Sequence, residues 1–149
     1  MVTQTKTAQQ TIDLGRQIAK TLVGGELLLL AGELGSGKTT FLKGLAQGLR
    51  VKEDITSASF LLLVPYSAHN RLTFVHVDGY RIAKPDEARS IGLDDYLGRS
   101  DAIVAIEWPE RFESLIEKLK MQSLPAQTGE KLYKVKFEVI NETTRRISY

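Results

Sequence analysis

Apolar residues in this chain follow two rhythms, and the order in which the rhythms alternate predicts the elements. Thr3 to Thr7 is β-permissive and suits an edge strand. From Ala8 to Val23, Ile12, Ile18, Ala19 and Leu22 recur at the spacing of one helical face, and Gly24-Gly25 ends the helix. Glu26 to Ala31 is then a short apolar run of buried-strand length. Phe41, Leu42, Leu45, Ala46 and Leu49 share one face of a second helix, from Thr39 to Leu49.

Farther along, Phe60 to Tyr66 and Arg71 to Val77 read as two strands joined by the turn-rich Ser67-Ala68-His69-Asn70, which predicts an antiparallel hairpin. Pro85 to Ile91 reads as a short helix stopped by Gly92, with a second helical turn from Leu93 to Leu97. Ala102 to Ile106 is continuously apolar, the signature of a strand buried on both faces. A helix from about Pro109 to Lys120 carries Phe112, Leu115, Ile116 and Leu119, and Ser123 to Glu130 reads as a loop. Leu132 to Val139 alternates with period two, a half-exposed strand, and Thr144 to Tyr149 completes the sheet after a turn at Asn141-Glu142.

Composition changes this picture little. A chain of 149 residues with 42% apolar and 26% charged positions is an ordinary globular one, and one domain over residues 1–149 is the simple expectation. A net charge of +2 does not argue for a nucleic-acid or membrane surface as direct partner. With no cysteine, disulfides and thiolate metal sites are excluded. The N-terminus carries no apolar signal core, and no apolar run approaches the ~20 residues of a membrane helix, so a cytoplasmic location is expected.

The chemistry lies between the second strand and the second helix. Gly32-Glu33-Leu34-Gly35-Ser36-Gly37-Lys38-Thr39 fits G-x-x-x-x-G-K-[ST], the phosphate-binding loop. Glycines let consecutive N–H groups turn inward on phosphate oxygens, and the helix that follows adds its unpaired amides and the positive end of its dipole. Leu34, Gly35, Ser36, Gly37, Lys38, Thr39 and Thr40 are therefore the candidate ATP-binding residues. Lys38 brings charge to the β/γ-phosphates, and the Thr39 hydroxyl is a candidate Mg2+ ligand. The motif with its flanking strand and helix implies an α/β fold, P-loop NTPase-like and three-layered, with a mixed, largely parallel central sheet.

Asp78 and Glu107 follow two other apolar strands directly. If those strands run parallel to the first, both acids reach the phosphate end of the sheet and join Thr39 as candidate metal ligands; the alternative is a solvated strand end. Glu107 has a second candidate role, orienting or deprotonating the attacking water, so Lys38 and Glu107 are the catalytic candidates. Trp108 suits either helix packing or nucleotide contact. The hydroxyl-rich segment with Thr56, Ser57 and Ser59 is either a solvated turn or a switch-like loop near the γ-phosphate. His76 alternates with Phe74 and reads as a core or sheet-face histidine rather than a ligand, and His69 as a loop residue. Arg81 and Arg111 read as solvated or partner-facing. There is no [NT]-K-x-D to read guanine and no arginine-rich lid, which argues against a Ras-type GTPase and a nucleotide kinase.

Nearly the whole chain resembles the TsaE family, P-loop ATPases of bacterial tRNA threonylcarbamoyladenosine synthesis. The resemblance is carried by Gly32 to Phe41, Thr56 to Phe60, His76-Val77-Asp78-Gly79-Tyr80-Arg81-Ile82, Ile91 to Tyr96 and, most specifically, Ile106-Glu107-Trp108-Pro109-Glu110-Arg111. It implies an ATP-binding, Mg2+-dependent protein of weak intrinsic ATPase activity. Such a protein works with TsaB and TsaD as a regulator or resetting factor, meeting tRNA only through the complex. It also implies Leu34 to Thr39 for phosphate, Thr39 and Glu107 for metal, Asp78 beside the metal, and Thr11 near the nucleotide. Three departures stand out, one being the segment from Glu113 to Tyr133, which is only loosely alike and from which no adenine contact is carried over. Ala58 replaces a usual proline, which should loosen its loop. Gly79 replaces a usual leucine, which should weaken packing beside Asp78. Two other functions compete: a nucleotide-gated interaction module whose hydrolysis is incidental, and a small-molecule P-loop kinase.

Overall fold

A computed structural model of the chain describes residues 1–55, 62–82, 87, 90–112, 114, 116, 117 and 132–149. The strands are β1 (Val2–Thr5), β2 (Leu27–Ala31), β3 (Leu63–Ser67), β4 (Thr73–Asp78), β5 (Ala102–Glu107), β6 (Leu132–Val139) and β7 (Arg145–Ser148); the long helices are α1 (Ala8–Ala19) and α2 (Lys38–Gly48). They form one seven-stranded sheet in the order β1-β7-β6-β2-β5-β4-β3. β6, β2, β5 and β4 run parallel, while β3 joins antiparallel to β4, β7 to β6 and β1 to β7. The sheet is thus mixed with a parallel centre, as the run-and-hairpin pattern predicts.

Every residue of β5 is buried, which explains its lack of alternation: both faces are covered. On one face Leu28, Leu30, Phe74, Ile103 and Ala105 meet Phe41, Leu42 and Leu45 of α2 and Leu49 just beyond its end. On the other, Leu29, Val75, Val77, Val104 and Ile106 meet Ile82, Leu93, Phe112 and Ile116. The alternation of β6 is real, with Val135 and Phe137 buried and Lys134 and Lys136 exposed.

Two details of α1 depart from the sequence pattern. α1 ends at Ala19 rather than Val23. Beyond it the chain tightens, Thr21 N–H bonding Ile18 C=O at 2.9 Å and Leu22 N–H bonding Ala19 C=O at 3.2 Å, while the Thr21 hydroxyl takes the Ile18 carbonyl at 2.8 Å. A threonine that competes for the backbone closes the helix a turn early. The stripe on α1 is also rotated: Thr11, Leu14, Gly15 and Ala19 are buried, and Ile12 and Ile18 only half so. The cause is close contact between helices. A Cβ on Gly15 would stand 2.3 Å from the Phe41 carbonyl oxygen, and one on Gly44 2.1 Å from that of Ile12. Backbone meets backbone there, so the small residues face the partner helix and the isoleucines sit at the margin.

Strand 26–31 begins at Leu27; Glu26 is buried before it, its carboxylate accepting the Val23 and Gly24 N–H groups at 3.0 and 2.7 Å. Pro109–Phe112 is a 3-10 turn, with Ser114, Ile116 and Glu117 helical after it. In the segment 85–91, Glu87 and Ser90 are helical, and the 3-10 turn Leu93–Asp95 follows Gly92. The loop 123–130, Leu115, Leu119 and Lys120, Pro85, and Thr56, Ser57, Ala58, Ser59 and Phe60 lie outside the described residues.

Candidate functional site

Parallel pairing puts the ends of three strands side by side. Asp78 is in register with Glu107, and Leu30, just before the glycine-rich loop, is in register with Glu107 on its other side. Both acids therefore open onto the loop that leaves β2. The loop enters α2 through Gly37, whose φ of 102° an L side chain rarely adopts, and no side chain caps the helix. The first amides of α2 are left for an external acceptor, with the positive end of the helix behind them.

Leu34, Gly35, Gly37, Lys38, Thr39, Thr40, Asp78, Tyr80, Glu107 and Trp108 line a cleft of about 200 Å³. Two anchors hold Lys38. Its ammonium donates to the Gly32 and Glu33 carbonyls at 2.7 and 2.9 Å, and it lies 4.2 Å from the centre of the Trp108 ring. Burial pushes this ammonium below the usual lysine range, and the nearby carboxylates of Glu107, Asp78 and Glu110 push it back. Across the cleft the Thr39 hydroxyl donates to Glu107, 3.1 Å from Oε1 and 3.2 Å from Oε2. Asp78, half-buried, accepts the Tyr80 N–H at 3.0 Å, which fixes the turn after β4.

Trp108 takes φ of 58°, a costly backbone conformation for a bulky residue. Strain of this kind, about 1–3 kcal/mol, persists where the surroundings over-determine it. Here the Trp108 N–H reaches the Leu30 carbonyl at 3.3 Å, and its own carbonyl accepts from Arg111 N–H at 3.0 Å. The turn folds the indole back over Lys38 and against Tyr80, ring centres 5.2 Å apart.

Of the sequence candidates, the structure brings together Leu34, Gly35, Gly37, Lys38, Thr39, Thr40, Asp78, Glu107 and Trp108. Ser36, within the loop itself, is fully buried, its hydroxyl without a hydrogen bond. Thr11 lies one layer deeper: its methyl is 3.9 Å from where a Cβ on Gly37 would stand, and its hydroxyl bonds that of Thr5 at 2.8 Å. Thr11 supports the loop from below, and no residue of α1 is among those lining the cleft. Thr56, Ser57 and Ser59 lie outside the described residues.

The sequence reading did not single out Tyr80 as a functional residue, nor did it foresee what His76 touches. His76 is the buried sheet-face histidine that alternation predicts, and its Nε2 is 3.0 Å from Glu107 Oε1. The spacing His76-x-Asp78 was the available signal, because it places both residues on one strand face. Gly79 leaves no gap beside Asp78. A Cβ there would stand 2.6 Å from Phe112 Cε2 and 3.0 Å from the Trp108 carbonyl oxygen, so Phe112 already fills the volume.

The donor set suits a hard divalent cation. Thr39 and Glu107 supply oxygens in contact with each other and Asp78 a further carboxylate, and Mg2+ characteristically takes one or two carboxylates and leaves its other positions to water and phosphate. Among the described residues there is no cluster of three or more His, Cys, Asp or Glu side chains able to form an all-protein metal site. No helix among them is long and apolar enough to cross a membrane.

Comparison with known proteins gives concordant results. Residues 5–145 match the family model TsaE, described as "Threonylcarbamoyl adenosine biosynthesis protein TsaE". The chain is similar to a tRNA threonylcarbamoyladenosine biosynthesis protein TsaE from Treponema pallidum, 40% identical over 73% of this chain and 78% of the relative. A TsaE protein of Streptomyces coelicolor is 43% identical over 70% of this chain and 72% of its own length. Among solved structures, the crystal structure of YdiB from Bacillus subtilis superposes with a TM-score of 0.70 at 27% identity, over 99% of this chain and 82% of that one.

Proposed function

The chain belongs to the TsaE family, and from that premise we propose that it is a Mg2+-dependent ATPase of tRNA threonylcarbamoyladenosine biosynthesis. In this reading it serves TsaD and TsaB as a regulator or resetting factor rather than as the transferase, and meets tRNA only within the complex. The observation that carries the ATPase reading is the Thr39–Glu107 hydrogen bond at the mouth of the glycine-rich loop. A hydroxyl whose hydrogen is committed to a carboxylate keeps its lone pairs for a cation.

Thr39 and Glu107 would hold Mg2+, with Asp78 acting directly or through water. Bound there, the cation would neutralise charge on the β- and γ-phosphates. The chain's own residues do the rest. The amides at the start of α2 cradle phosphate oxygens. Lys38 exchanges a carbonyl partner for a phosphate oxygen, a charge-assisted and therefore stronger bond. Glu107 orients the attacking water. Trp108 walls the cleft and keeps the lysine aligned.

A second reading, a nucleotide-gated interaction module, draws on the rim: Leu34 is 71% and Tyr80 51% exposed at the mouth of the same cleft. Phosphate release measured with and without TsaB–TsaD separates the two. Turnover raised by those proteins supports the ATPase role. ATP-dependent association without turnover supports the module, and phosphate transfer to a small acceptor would replace both by a kinase. Co-precipitation with TsaB–TsaD in ATP, in ADP and without nucleotide tests the partnership itself.

A further inference from the structure

We propose that His76 is a positioning residue for Glu107, fixing which carboxylate oxygen is left for the metal and its waters. The inference rests on the assignment of Glu107 to the Mg2+ side of the site. His76 lies in the middle of β4, two residues before the Asp78–Glu107 register, so its side chain and that of Glu107 share the sheet face toward α2. Its neighbours Phe74, Val75 and Val77 are apolar and fully buried, and His76 itself is 0% exposed.

A polar ring in such surroundings is unfavourable unless it is fully hydrogen-bonded. This one is not. Nε2 is 3.0 Å from Glu107 Oε1, while Nδ1 has no partner. An imidazole that leaves one nitrogen unsatisfied is a poor stabiliser of a core. Its hydrogen-bonding capacity is directed at one atom, Glu107 Oε1.

A carboxylate only accepts, so Nε2 is the donor in this contact. The Glu107 side chain is then gripped twice. Oε1 accepts from both His76 Nε2 and the Thr39 hydroxyl, whereas Oε2 takes only the longer Thr39 contact of 3.2 Å. Oε2 is the oxygen with capacity to spare. Without the imidazole, the carboxylate is free to rotate about its last torsion and exchange the two oxygens. Histidines and carboxylates that fix a metal-binding group from behind commonly influence affinity or activity by about 10- to 100-fold.

The test exploits the two different nitrogens. His76→Gln places an amide N–H near the position of Nε2; His76→Asn, being shorter, places it near Nδ1. Both are compared with the parent chain and with Glu107→Gln for thermal unfolding, for ATP binding in EDTA and in Mg2+, and for kcat and KM of phosphate release. The expected result is unchanged ATP binding in EDTA for both His76 variants. In Mg2+, His76→Asn loses about 10- to 100-fold in Mg2+-dependent affinity or kcat, and His76→Gln recovers most of it. If His76→Asn does not fold, His76→Leu provides the donor-free comparison with His76→Gln. Equal behaviour of the glutamine and donor-free variants, or losses that merely follow the melting temperature, overturns the inference. If Glu107→Gln itself keeps Mg2+-dependent binding and turnover, the underlying site assignment fails instead.

Discussion

Thr39 and Glu107, on the first turn of α2 and the last residue of β5, are joined by a hydroxyl–carboxylate hydrogen bond of 3.1 Å. The bond ties the helix that follows the glycine-rich loop to the strand that ends beside it. Thr39→Ser keeps the hydroxyl and should keep Mg2+-dependent ATP hydrolysis. Thr39→Val keeps the volume but removes both the donor and the cation's oxygen. It should lower kcat at least 10- to 100-fold while changing fold stability by only about 1 kcal/mol. Steady-state phosphate release, paired with denaturant unfolding, checks both halves. Parental turnover in Thr39→Val would remove the hydroxyl from the mechanism.

Lys38 and Trp108 provide an optical report on the same site. The ammonium lies 4.2 Å from the ring centre, and Trp108 is the chain's only tryptophan. A phosphate that draws Lys38 away from the ring changes the environment of the indole. ATP should therefore shift Trp108 emission in the parent chain, and Lys38→Met should show a shifted baseline with little further response to ATP. An undiminished ATP response in Lys38→Met would mean that the ring senses the nucleotide by another route.

The glycines between α1 and α2 are demanded by packing, against their own helix propensity. Alanine is ordinarily the better helix former by about 1 kcal/mol. Yet a Cβ on Gly44 would stand 2.1 Å from the Ile12 carbonyl oxygen and one on Gly15 2.3 Å from that of Phe41. Gly44→Ala should thus destabilise the fold by about 1–3 kcal/mol, measured by chemical denaturation. Because α1 carries Thr11 beneath Gly37, ATP affinity should fall as well. A stabilised Gly44→Ala variant would contradict the close helix contact.

Gly79 is where this chain differs from the leucine usual in the resembling family, and the space belongs to Phe112. Gly79→Leu alone should cost about 1–3 kcal/mol through overpacking and disturb Asp78, the preceding residue. Gly79→Leu combined with Phe112→Ala should recover part of that loss. Thermal melts of the two singles and the double give the coupling, and strictly additive effects would show that the two side chains do not share one volume.

Much of this fold was legible in one dimension. Continuous apolar runs marked β2 and β5 because a strand buried on both faces has no polar side to alternate. Alternation marked β6, and turn residues marked the β3–β4 hairpin. The loop was legible because its chemistry is carried by backbone and by residues adjacent in sequence. Less legible was the orientation of α1, where hydrophobic periodicity favoured Ile12 and Ile18 but helix-to-helix contact selected Thr11 and Gly15. Periodicity reports which side chains are apolar; it does not report how close the partner backbone comes.

The sequence by itself determined that a glycine-rich loop stands between a buried strand and a helix, and that Asp78 and Glu107 each end a strand. Only the tertiary structure decided that β2, β5 and β4 are neighbours running the same way, which turns two scattered acids into one site facing Thr39. Only it set His76 against Glu107 and folded Trp108 over Lys38 through a strained turn. The physical reason is that hydrogen bonds and ring contacts act over a few ångströms in space. The residues that make them here lie far apart along the chain, and their meeting is fixed by strand register and helix packing rather than by any local pattern.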